Sequence, residues 1–154
     1  MTFANEVEKF WNEFRMTRSE IGPATPYQTW YFGNTPEMAN ELAELVISGQ
    51  KTATASSVDA DGFEPEKAPV LDGYSVVTDF EGRPVCIIRT TEISYVPFGE
   101  VDAKFAYDEG EGDRTLESWS DTHWKYFTRE AEQYGFEFNE RSLVCCERFR
   151  LLFP

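Results

Sequence analysis

The stretch that most limits the fold is YSVVTDF-EGRP-VCIIRTTEISYV, residues 74–96. Two runs rich in Val, Ile, Thr and Tyr flank a short segment carrying Gly82 and Pro84. β-Branched and aromatic runs broken by such a segment predict a β-hairpin. A further run of this kind, SLVCCERFRLLF (142–153), predicts a closing strand. Helical periodicity fills much of the rest. Residues 4–16 place Val7, Phe10, Trp11 and Phe14 on one face. Residues 36–48 carry the stripe Met38, Leu42, Leu45 and Val46, with Thr35 as N-cap, Pro36 in the first turn and Gly49 as the stop. Residues 114–134 carry Leu116, Trp119, His123, Phe127, Ala131 and Tyr134 at helical spacing, and Gly135 stops them. IGPATPYQ (21–28) and the acidic SVDADGFEPEKAPVLDG (57–73) read as loops. Strands linked by a hairpin rather than by regular helical crossovers predict an α+β domain. Its sheet is mixed or antiparallel and curls into a barrel that protects its edges.

At 154 residues the chain fits one domain spanning 1–154. It has 14 Lys and Arg against 28 Asp and Glu, a net charge of −14. Such a field opposes long nucleic acids, which are held largely by phosphate neutralisation, so no long duplex DNA partner is expected. A small, weakly charged partner is compatible with it. No apolar run approaches the roughly 20 residues of a membrane span, and the start, MTFANEVEKF, does not read as a signal peptide. Three cysteines, two of them adjacent, make a poor disulfide framework and no zinc motif, which points to a reducing cytoplasm. The sequence does not settle the oligomeric state.

Two short stretches carry candidate chemistry. In SGQKTATASS (48–57) a single cation, Lys51, precedes a run of small side chains. On a strand over 52–57, Thr52, Thr54 and Ser56 share one face and Ala53, Ala55 and Ser57 the other. Small residues leave room for a ligand near the backbone. They equally suit a helix packed across the sheet, with Lys51 a solvated cation at a helix end. In FAYDEGEGDRTLESW (105–119), Asp108, Glu109, Glu111 and Asp113 crowd together among glycines. Crowded carboxylates raise one another's pKa, as a general acid or base requires. In a bland reading the segment is an acidic turn whose Asp113 caps the next helix. Its spacing is not that of a calcium loop, and no metal or other cofactor is expected. His123, the sole histidine, suits packing against Trp119 and Phe127 as well as catalysis. Trp30 can stack on a planar base or close the core. No nucleophile elbow, phosphate loop or dinucleotide fingerprint is present.

Taken in order, WYFGN (30–34), GQKTATAS (49–56), VCIIRTTEI (85–93), the segment from PFGEVDAKF to EGEGDRTLESW (97–119) with His123, and CERFRLLF (146–153) resemble an ASCH domain of the longer bacterial type. The resemblance covers most of the chain. It implies a PUA-like β-barrel decorated by helices, with the GxKT and EGEGD segments facing each other across a cleft. It also implies a function: smaller relatives are amidohydrolases that deacetylate N4-acetylcytidine through a lysine, a threonine three residues later and a glutamate. These map onto Lys51, Thr54 and Glu109, with Glu111 the alternative carboxylate. Trp30, Thr52, Arg89, Glu111 and His123 would then bind the substrate, a nucleoside or short RNA. The alternatives within the resemblance are a ribonuclease, with Lys51, Arg89 and His123 around a phosphate, or a non-catalytic RNA- or nucleotide-binding module. As a base, Lys51 would need a lowered pKa, and in a regular strand it would point away from Thr54.

Overall fold

The computed structural model describes residues 3–154. Helix α1 (Ala4–Arg15) is followed by β1 (Tyr27–Trp30), α2 (Pro36–Ser48), β2 (Ala53–Ser57) and the single turn α3 (Val58–Asp61). The hairpin β3 (Tyr74–Thr78) and β4 (Pro84–Pro97) comes next. Then follow α4 (Ala103–Glu109), α5 (Leu116–Tyr134) and β5 (Leu143–Phe153). The five strands form one mixed sheet in the order β1-β3-β4-β5-β2. β1 runs parallel to β3, and every other pair is antiparallel.

The class is the expected one, but the sheet is not closed. β1 and β2 are its two edges and do not pair with each other. The long central strands curl the sheet, and β4 slips register against β5 between Ile87 and Ile88 and between Thr90 and Glu92. Such bulges sharpen twist and bend a strand. The gap between the two edges is occupied by side chains and open space rather than by a ladder.

Three apolar clusters pack on this frame. α1 sets Val7, Trp11 and Phe14 on Val76 and Ile87. α2 sets Val46 beside Phe32, Val77 and Ile88. α4 and α5 set Phe105, Trp119 and Phe127 on Ala53, Val144 and Cys146. The alanine face of β2 is therefore trimmed for helices, as the bland reading held.

Several local expectations need correction. The loop read over 21–28 runs into β1, whose Tyr27 stacks on Trp11 at 4.5 Å. Four residues carry too little periodicity to stand out, and pairing with β3 makes them a strand. The segment 57–73 is not free: Ser57 caps α3 by accepting from the Ala60 amide, and a 3₁₀ turn covers Pro65–Lys67. The acidic segment begins inside a helix, α4. The cap of α5 is Thr115, which accepts from the Ser118 amide, and not Asp113. Asp113 accepts from both the amide and the hydroxyl of Thr115 and so braces the cap.

Candidate functional site

The segments around Lys51 and Glu109 are stitched together by backbone. α2 is stopped by Gly49, whose left-handed backbone suits a residue without a Cβ. The Thr52 amide then donates to the Asp108 carbonyl at 2.9 Å, and Gln50 Nε2 to the Gly110 carbonyl at 2.7 Å. Gly110, with φ of 72°, ends α4. A Cβ at Gly110 would lie 2.5 Å from the Gln50 carbonyl oxygen, so this approach requires glycine.

That contact carries Lys51 inward. Only 1% of Lys51 is exposed, so it is no solvated helix-end cation. Its Nζ donates to Glu109 Oε1 at 3.2 Å and to Glu111 Oε2 at 2.6 Å. Burial alone would lower its pKa, but the two carboxylates more than offset that and hold it above the ordinary lysine value. Glu109, also 1% exposed, is saturated: Oε2 accepts from Trp119 Nε1 and faces His123 Nε2 at 3.2 Å. Burial works to raise its pKa, yet Lys51 and His123 pull it well below the usual carboxylate range. His123 lies with Nδ1 2.9 Å from the Trp119 carbonyl, so Nδ1 carries the proton. Facing a carboxylate with Nε2 as well, the ring fits best as an imidazolium. Its pKa accordingly rises: burial opposes the charge, and Glu109 outweighs it. Glu111 is pushed up by burial and by Glu109, with Lys51 acting against them. Glu109, Glu111 and His123 offer three ligand atoms within 4.8 Å of one another. The Lys51 ammonium already supplies the cation of that trio, and a metal would have to displace it.

A second group lines a cleft of about 680 Å³ between the edges β1 and β2. Thr54 and Ser56 face it from β2, Trp30 and Phe32 from β1 and its continuation, and Tyr126 and Tyr134 from α5. Its charged lining is Lys67 and Arg129 against Asp61, Glu64, Glu130 and Glu147. Burial, with Asp61 and Glu64 adding to it, pushes the Glu130 carboxyl up to about 7. Phe32 joins the two groups: it lines the cleft, and Lys51 Nζ lies 5.4 Å from its ring.

The structure thus assembles Lys51, Glu109, Glu111 and His123 in one buried network and brings Trp30 and Thr54 to the adjoining cleft. Thr52 is exposed, with its hydroxyl 3.3 Å from the Asp108 carbonyl. Arg89 reaches neither group; its Nε donates to the Asp72 carbonyl and its guanidinium lies over Tyr74. Asp61, Glu130 and Glu147 escaped the sequence reading. For Glu147 a signal existed, since it alternates with Cys145 and Phe149 on one face of an apolar strand. Asp61 lay in a stretch read as loop. The three cysteines are buried, and burial pushes each thiol up to about 12, so none is poised as a nucleophile.

Residues 28–152 match the profile of the ASCH domain. The crystal structure of an ASCH domain from Lactobacillus crispatus is 30% identical and superposes with a TM-score of 0.89, over 97% of this chain and 96% of that one. A crystal structure of an Enterococcus faecalis protein is 35% identical with a TM-score of 0.87, over 98% and 90%. A hypothetical protein at 14% identity and a TM-score of 0.54, over 80% of this chain and 99% of that one, shares the fold. No curated protein matches. The profile and the two closer structures agree over nearly the whole chain, which belongs to the ASCH domain family.

Proposed function

We propose that the protein is a small amidohydrolase that removes an acyl group from the exocyclic nitrogen of a cytosine nucleoside. The observation that carries this reading is the cleft. It is lined by a threonine, aromatic side chains, and two cations against four carboxylates. That setting suits a neutral planar substrate and opposes a phosphodiester backbone. A ribonuclease centred on Lys51, Arg89 and His123 draws no support from the geometry, because Arg89 lies elsewhere and the other two are tied to Glu109.

In this reading Thr54 Oγ attacks the acyl carbon, a C–O bond forms, and the C–N bond breaks. The Thr54 proton passes to the base and on to the departing cytosine nitrogen, and water then hydrolyses the acyl-threonine to the free acid and restores the Thr54 hydroxyl. Lys51 is an ammonium at rest, so it serves as base only after passing its proton on. Glu111 is the acceptor on hand, 2.6 Å away and with a raised pKa. Glu109 stays ionised and fixes Lys51 and His123 in place. It is a positioning residue.

The test is turnover of N4-acetylcytidine and of RNA by wild type, Thr54→Ala, Lys51→Arg and the Thr54→Ala/Lys51→Ala double variant, normalised to folded protein. Wild type should deacylate the nucleoside and leave RNA intact. Thr54→Ala and Lys51→Arg should each lose turnover, since arginine keeps its proton. The double variant should be little worse than Thr54→Ala alone, because the two residues act as a unit. An inactive wild type, or turnover that survives Thr54→Ala, overturns the reading. Cleavage of RNA alone would replace it with the ribonuclease.

A further inference from the structure

Glu147 is 4% exposed, yet it lines the cleft and forms no ion pair among the described residues. Thr90 Oγ1 donates to its Oε2 at 2.6 Å, and its Oε1 takes no hydrogen bond among the described residues. No fully enclosed side-chain polar atom of these residues lacks a partner, so that oxygen opens onto the cleft. A carboxyl group withdrawn from water with one free oxygen is costly unless a donor arrives to meet it. Asp61 repeats the pattern at the cleft wall. Ser56 Oγ donates to its Oδ2 at 2.6 Å, it has no cation within ion-pair distance among the described residues, and it is only partly exposed.

Position gives these acids a direction. Glu147 on β5 lies opposite Thr54 on β2. Directly paired residues point to the same face with Cβ atoms about 5 Å apart. An amide whose N–H meets Glu147 can bring its carbonyl carbon to the Thr54 side, because that carbon is bonded to the same nitrogen. Trp30 and Phe32 form an aromatic wall of the same cleft. We propose that Glu147, supported by Asp61, is the recognition edge of the cleft, selecting a planar heterocycle by its exocyclic amino or amide N–H and so setting the scissile nitrogen beside Thr54. The ligand class is a neutral amino-bearing heterocycle such as an aminopyrimidine nucleoside. A ring with a carbonyl in place of the amine is rejected, because two acceptors would meet. This assignment rests on the amidohydrolase reading for its scissile bond and on the cleft alone for its ligand class.

The probes are cytidine and uridine, neither of which carries an amide to cleave. Binding is read by tryptophan fluorescence and by amide chemical shifts of the intact protein. A hydrogen bond to a charged group is worth roughly tenfold to a hundredfold in affinity. Wild type should prefer cytidine by about tenfold or more, with shifts at Thr54, Ser56 and Glu147. Glu147→Gln should lose most of that preference, and Asp61→Asn should lose part of it. Equal affinities in wild type, shifts confined elsewhere, or a preference untouched by Glu147→Gln would overturn the assignment. If Glu147→Gln does not fold, the wild-type preference and its shift map decide on their own. The two readings fail separately. Cytidine preference without deacylation keeps Glu147 and removes the amidohydrolase, whereas deacylation with unchanged kcat/KM in Glu147→Gln does the reverse.

Discussion

Replacing Lys51 with methionine keeps an unbranched side chain one atom shorter and removes its charge. Both of its partners then face a void of charge, and Glu109 is as deeply buried as Lys51 itself. Breaking a buried ion pair by removing one member costs about 3–5 kcal/mol, because the survivor is left uncompensated. For a domain of this size, 1 kcal/mol moves Tm by roughly 2–4 °C. Lys51→Met should therefore melt on the order of 6–20 °C below wild type at pH 7, followed by circular dichroism. The sign with pH follows from Glu109. Its pKa is depressed in the folded protein, so its contribution is present above the unfolded value of about 4.5 and is lost as pH falls through the folded one. Lowering the pH toward 4 should thus narrow the gap between variant and wild type, since the stranded carboxylates can protonate. A second substitution, Glu109→Gln, should recover part of the loss in Lys51→Met although it destabilises wild type. A melt within about 2 °C of wild type, or additive losses in the double variant, would refute the ion-pair reasoning.

Gly110→Ala combines a positive φ with a Cβ placed 2.5 Å from the Gln50 carbonyl oxygen, and should cost roughly 1–3 kcal/mol by thermal melting. Thr115→Ala removes the α5 cap and should cost about 0.5–2 kcal/mol in the same assay, with Asp113→Ala costing less. His123 is the only histidine, so its ring proton resonances titrate without ambiguity. The titration should fall above pH 6.5 and drop in Glu109→Gln; a value at or below 6.5 would remove the imidazolium from the network. Its stabilising effect is complete below pH 6.5 and is lost as pH rises through the folded value. Raising the pH from 6 to 9 should therefore lower stability in wild type more than in His123→Gln.

Much of the architecture was legible because it is local. The periodicities of α1, α2 and α5, the glycine stops at Gly49 and Gly135, and the β3–β4 hairpin follow from side chains within a few residues of one another. The short elements were not legible. β1 is four residues long and is a strand only because β3 lies beside it, and α3 is one turn fixed by a serine cap.

At the candidate site the division is sharper. Sequence by itself drew attention to Lys51 and the acidic turn, and the ordered motifs that resemble the ASCH domain added Thr54. Tertiary structure decided their states and company. Burial beside Glu109 and Glu111 turned a supposed solvated or deprotonated lysine into an ion-paired ammonium at rest. The open seam between β1 and β2 put Thr54 in a cleft with Trp30, Asp61 and Glu147, residues from segments far apart in the chain. The physical reason is that charge state depends on solvent exclusion and on distances between unlike segments, and neither quantity exists until the chain has packed.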